Sequence, residues 1–121
     1  NILVQRLAKA AIEGLNADGS MIYERWETTG KVDLQRQWWV QCENVVGHLN
    51  LYQHFNNEAA AQIAQRCLDY ITTYLIDREH GEWYWSVDEK GHPNRTDDKA
   101  GFWKCPYHNS RMCFEILERE L

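Results

Sequence analysis

Trp38-Trp39-Val40-Gln41-Cys42-Glu43-Asn44-Val45-Val46-Gly47-His48-Leu49 is the stretch whose spacing decides the fold. Laid out at 3.6 residues per turn, it belongs to an apolar stripe of Leu34, Trp38, Cys42, Val45, Leu49 and Tyr52. That stripe predicts one long helix over 34–55. Trp39, Glu43 and Gly47 form a second line at i, i+4, i+8. A helix with an apolar side and an aromatic–carboxylate–glycine line beside it is expected to be buried on both. Gly47, without a Cβ, admits a close neighbour there.

Working outward, Asn56-Asn57 reads as a turn, and 58–77 as a helix with Ala60, Ile63, Ala64, Cys67, Leu68, Ile71 and Leu75 on its core face. Upstream, Leu3, Leu7, Ala11 and Leu15 predict a helix over 2–15, broken by Asn16-Ala17-Asp18-Gly19. Gly19 to Asp33 reads as a loop or small hairpin. Residues 78–106 read as mostly irregular. Within them Trp83-Tyr84-Trp85-Ser86-Val87 alternates as a short strand, with Trp83, Trp85 and Val87 on one face. Asp88 to Pro93 is a turn, and Asn94 to Gly101 is polar and expected to be exposed. A last helix starts near Tyr107, with Met112, Cys113, Ile116 and Leu117 as its stripe. The class is therefore all-α: antiparallel helical hairpins with functional-looking loops at one end. The order suits a helical toroid of alternating inner and outer helices, which four helices cannot close. The 121 residues are one domain at most, expected to be a piece of a longer protein.

A formal net charge of −5 offers no electrostatic case for a nucleic-acid partner. No apolar run approaches the roughly 18 residues that span a bilayer, so no membrane partner is expected. Cys42 and Cys67 fall in helical apolar patterns, and the four cysteines show no C-x-x-C pair. That usage fits a reducing, cytoplasmic compartment. Six Trp, six Tyr and three Phe are many for this length. Flat rings in polar company suit a sugar cleft, the rings covering C–H faces and the polar groups taking hydroxyls. Core packing is the alternative use for them.

His108 is the leading chemical candidate. It follows Pro106 and opens a helical pattern, where the helix dipole disfavours the imidazolium. A neutral imidazole can take a proton from carbon or return one; a helix-capping His is the other reading. Asn109 or Ser110 can cap that helix. Trp39 and Glu43, one turn apart, can stack a sugar and accept its hydroxyl protons, or can serve packing. His48 and His54, off the main stripe, are expected to bond to loops, and His80 and His92 sit in turns. Cys105, His108 and Cys113 form C-x2-H-x4-C, no common zinc spacing, and G-x-S-x-G is absent.

The run Trp38 to Glu43 and the later Phe102-Trp103-Lys104-Cys105-Pro106-Tyr107-His108-Asn109-Ser110-Arg111-Met112, with Gly81-Glu82-Trp83 between them, resemble the C-terminal part of the N-acylglucosamine 2-epimerase family. The wording Cys105-Pro106-Tyr107-His108-Asn109 is most similar to its cellobiose and mannobiose 2-epimerase branch. The resemblance covers nearly all 121 residues and implies the last third of an (α/α)6 barrel of about twelve helices. It further implies interconversion of glucose and mannose at the reducing end of a β-linked disaccharide. The C2 proton is abstracted and returned through an enediol or enediolate, without metal or organic cofactor. By the same resemblance His108 is one of two proton-transferring histidines, Trp39 and Trp103 line the sugar cleft, and Glu43 is a polar residue of the barrel interior. Arg111 is expected to anchor the motif loop. The partner histidine and much of the pocket are expected on the missing N-terminal part of the same barrel, which leaves the isolated chain inactive. Alternatives kept open are an N-acylglucosamine 2-epimerase or aldose–ketose isomerase of this family, a non-catalytic carbohydrate-binding module with Trp39, Trp85 and Trp103 as platforms, and an (α/α)6 glycoside hydrolase using Glu43 with a second carboxylate.

Overall fold

A computed structural model describes residues 2–119. Four α-helices dominate: α1 (Ile2–Ala11), α2 (Trp38–Phe55), α3 (Glu58–Tyr70) and α4 (Tyr107–Glu118). A 3-10 turn, Ile12–Gly14, follows α1, and a π-helical turn, Ile71–Leu75, extends α3. Four two-residue strands form two antiparallel ribbons: β1 (Glu24–Arg25) with β2 (Val32–Asp33), and β3 (Arg36–Gln37) with β4 (Ser86–Val87). No described helix is long and apolar enough to cross a membrane.

The central element is the hairpin of α2 and α3, onto which α4 packs through α2. Its turn needs two different asparagines. Asn56 ends α2 in the left-handed region (φ 51), which Asn tolerates better than most residues, and its N–H returns to the Leu51 carbonyl. Asn57 then caps α3, its side chain accepting from the Ala60 N–H at 3.1 Å. The core gathers Trp38, Cys42, Val45 and Leu49 of α2, Ala64, Cys67, Ile71 and Leu75 of α3 and its extension, Val87 of β4 and Met112 of α4. Burial raises the Cys42 thiol well above its ordinary range and the Cys67 thiol to about 12, so both stay neutral packing groups.

Several expectations shift at their edges. The helix over 34–55 starts at Trp38, because residues 36–37 instead pair with Ser86 and Val87 and the Trp38 N–H donates to the Trp85 carbonyl. Leu34 therefore lies outside the stripe and is exposed. The helix over 58–77 loosens into the π turn at Ile71, where the hydroxyls of Thr72 and Thr73 both bond back to the Asp69 carbonyl. The Trp83–Val87 alternation holds only in part. Tyr84, on the other face, is buried too, with the cations of Arg95 and Lys99 near its ring. On α4 the buried line is Asn109 and Met112 with Ile116 packed beside them, while Cys113 and Leu117 are exposed. The apolar spacing of α1 is present, yet none of its residues is buried.

The loop between α1 and α2 is tied down by buried polar groups. The fully buried Gln41 amide pairs with Met21 as a strand would, accepting from its N–H at 2.8 Å and donating to its carbonyl at 2.9 Å. Asn44 donates to the Gly19 carbonyl at 2.9 Å, and buried Arg36 donates to Ser20 Oγ. These bonds satisfy loop groups that would otherwise be buried without partners.

Candidate active site

The loop before α4 brings its first turn against the N-terminal half of α2. Pro106 stands at the N-cap position, and neither expected side-chain cap forms there. Ser110 turns its hydroxyl back to the Pro106 carbonyl, and Asn109 reaches away to Glu82. The first turn of α4 is thereby left to present His108 and Arg111, one turn apart on one face, to Glu43.

Glu43 is the hub of this contact. His108 Nδ1 lies 3.0 Å from Glu43 Oε1. Arg111 Nη1 donates to both carboxylate oxygens, at 2.8 and 3.0 Å. Arg111 thus cross-links α4 to α2, tying the end of the Phe102–Met112 run to Glu43. An ionised carboxylate only accepts, so the imidazole nitrogen facing it carries the hydrogen. In the neutral ring this is the Nδ1–H tautomer, whose lone pair sits on Nε2. The side chains remain within reach of a ligand, His108 being 31% and Glu43 37% exposed.

Aromatic rings frame the imidazole. Trp39 lies tilted at 5.9 Å between centroids, Trp38 stands edge-on at 6.4 Å, and Tyr107 edge-on at 5.0 Å. The Trp39 indole N–H is held by Gln37 at 3.0 Å, and Tyr23 meets its ring edge-on. Trp39 and Glu43 also line a groove of about 440 Å³ between α1 and α2, with Val4, Ala8, Tyr23 and Gly47. Among the described residues no atom within 4 Å would meet a Cβ at Gly47, so none of them supplies the close neighbour expected there.

Of the four residues singled out for the site, Trp39, Glu43 and His108 therefore come together. Trp103 stands apart from them, 79% exposed on the loop before α4 and packed edge-on against Phe102. Trp85 is claimed by the core, edge-on to Trp38 at 4.8 Å. His48 is buried in α2 and bonds through Nδ1 to the Asn44 carbonyl of its own helix, not to a loop. His80 and His92 lie in turns beside Asp77 and Asp88. The pairing of Arg111 with Glu43 is the feature of the site that sequence reasoning missed. Its signal was the i, i+3 spacing from His108, which puts both on the face that meets α2.

The family model for N-acylglucosamine 2-epimerase (GlcNAc 2-epimerase) matches residues 4–111. A cellobiose 2-epimerase of Bacteroides fragilis is 53% identical over 115 residues, covering 95% of this chain and 29% of that protein. One from Ruminococcus albus is 44% identical over 103 residues, 84% of this chain and 26% of the relative. The solved cellobiose 2-epimerase of Bacillus thermoamylovorans superposes with a TM-score of 0.87 at 42% identity, over 96% of this chain and 29% of that structure. The chain thus spans under a third of the length of the relatives it matches. Its helical hairpins have the fold of part of an (α/α)6 barrel.

Proposed function

The chain belongs to the N-acylglucosamine 2-epimerase family, and from that premise we propose that it forms the C-terminal part of an (α/α)6 barrel that epimerises C2 of a reducing-end sugar. The substrate is a β-linked disaccharide of the cellobiose or mannobiose kind, interconverted between glucose and mannose at its reducing end. The single observation that carries this reading is the contact of His108 Nδ1 with Glu43, which in the neutral ring places the lone pair on Nε2.

In the opened sugar, C2–H is acidified by the C1 carbonyl. Nε2 takes that proton; the C–H electron pair becomes the C1=C2 bond, and the carbonyl pair moves onto O1. Glu43 stabilises the imidazolium so formed, as an orienting carboxylate does in other His-based proton transfers. Return of a proton to the opposite face of C2 reverses the electron flow and inverts the centre. That delivery needs a second acid, which we assign to the N-terminal part of the same barrel, so this chain alone is expected to be inactive. Trp39 and the exposed Trp103 supply ring faces for the sugar's C–H surfaces. Glu43 already serves His108 and Arg111, an arrangement that favours its orienting role over that of a hydrolytic acid. The free cysteines fit a cytoplasmic setting.

The test is isotope exchange. With cellobiose in heavy water, the complete barrel is expected to place deuterium at C2 while converting glucose to mannose at the reducing end. Binding without exchange would favour a carbohydrate-binding module, and release of monosaccharide a hydrolase.

A further inference from the structure

Lys104 is the largest fully buried side chain among the described residues, 1% exposed, although it sits in a loop. An ammonium taken out of water is strongly disfavoured unless it is paired. Its three donor directions are accounted for. Nζ donates to Glu82 Oε1 at 3.0 Å and to the Lys99 carbonyl at 2.7 Å, and it lies 5.3 Å from the centroid of the Trp38 ring. The same Glu82 oxygen accepts from Asn109 Nδ2 at 3.2 Å. Glu82 itself occupies the left-handed region at φ 61, directly after Gly81 at φ 77. A non-glycine residue there is strained, so the surroundings must over-determine it. Partial burial pushes the Glu82 carboxyl up, but the Trp83 N–H, Lys104 and Asn109 together hold it below its ordinary value.

Three members of this cluster, Lys104, Asn109 and Trp38, are covalently next to a site residue, and Glu82 reaches the site through its bonds to the first two. Lys104 follows Trp103 and precedes His108 by one turn's worth of chain. Asn109 follows His108. Trp38 precedes Trp39 and meets the His108 ring edge-on. The Gly101 N–H bonds to the Lys104 carbonyl at 2.9 Å, closing the loop that carries Trp103. We infer that Glu82 and Lys104 are positioning residues, a buried clamp that holds His108 and the Trp103 loop in one fixed arrangement. The inference rests on the proton-transfer role proposed for His108, which the clamp serves without touching the sugar.

A purely fold-holding ion pair is the rival, and the charge-neutral double variant Glu82→Gln/Lys104→Met separates the two. Removing both charges leaves no unpaired ion and keeps the volume, so the complete barrel is expected to stay folded. In that folded variant kcat should fall at least about tenfold and KM for cellobiose rise severalfold, effects expected of a loosened near-attack geometry. The 15N signals of the His108 ring, with Nδ1 protonated in the parent, should become a mixture of tautomers. Parent values for kcat, KM and the ring signals in the folded variant would overturn the inference. Should the double variant not fold, Asn109→Ala decides, since it cuts one arm of the clamp and leaves the ion pair intact. A drop in kcat with disturbed His108 signals supports the clamp, and unchanged kcat and signals reject it. Absence of C2 exchange in the parent would defeat the functional reading alone, because the ring signals still report the clamp.

Discussion

At the scale of single residues, the candidate site is a His whose Nδ1 faces a carboxylate that an arginine also grips. Glu43 faces His108 and Arg111 at 3.0 and 2.8 Å from positions 65 and 68 residues away in the chain. Glu43→Gln keeps an acceptor of the same shape but removes its charge. In the complete barrel we expect kcat to fall by about one to two orders of magnitude, as for other groups that orient a functional His, with KM nearly unchanged. A folded variant with parental kcat would remove Glu43 from the mechanism. The residue types were legible in the sequence; the pairing of Glu43 with Arg111 was not, since periodicity gives each helix a face and does not say which faces meet. Lys104 was unreadable for a different reason. A lysine in a polar loop is normally solvated, and only the strained backbone at Glu82 brings a carboxylate to it. Trp103 was expected in the sugar cleft from resemblance alone, and its exposed position away from the His108 cluster depends on loop geometry that no spacing encodes.

At the scale of elements, α2 does most of the organising. Its one apolar stripe was readable because four of the six expected positions, Trp38, Cys42, Val45 and Leu49, are in the core. Its polar interior was not, because Gln41 and Asn44 are buried by pairing with the loop at 19–21 rather than by their own character. The Asn56-Asn57 turn was readable, as left-handed backbone and N-capping are local chemistry. His48 gives this helix a pH dependence. Burial lowers its basicity below the ordinary 6.5, the bond to the Asn44 carbonyl only partly offsetting that. The unfolded chain therefore takes the proton first, and this residue's contribution to stability is whole above about pH 6.5 and declines as pH falls below it. The difference between urea midpoints at about pH 7.5 and 5.5 should shrink in His48→Gln, in which no ring titrates. An equal difference in parent and variant would contradict the assignment.

At the scale of the whole molecule, the apolar spacing of α1 is clear and its burial is nil. Ile2, Val4, Leu7 and Ile12 are all exposed, and on α4 Phe114 and Leu117 are too. Sequence periodicity reports a face that some surface must cover, whether or not that surface lies in the same 121 residues. The proposed cover is the rest of an (α/α)6 barrel, and Gly47 tests it. In the segment alone a Cβ at this position meets nothing within 4 Å, so Gly47→Ala should stabilise α2 by about 0.5–1 kcal/mol through helix propensity. In the complete barrel a preceding helix filling the α1–α2 groove would clash, and the same change should destabilise. Stabilisation in both settings would show that nothing packs on the groove.

The central claim, that His108 moves the C2 proton of a reducing-end sugar, is tested most directly by cellobiose in heavy water with C2 followed by NMR. The complete barrel should incorporate deuterium at C2 as the mannose form appears, and its His108→Asn variant, folded as the parent, should lose both by about two to four orders of magnitude or more. No deuterium in the parent, or full exchange in the variant, would contradict it.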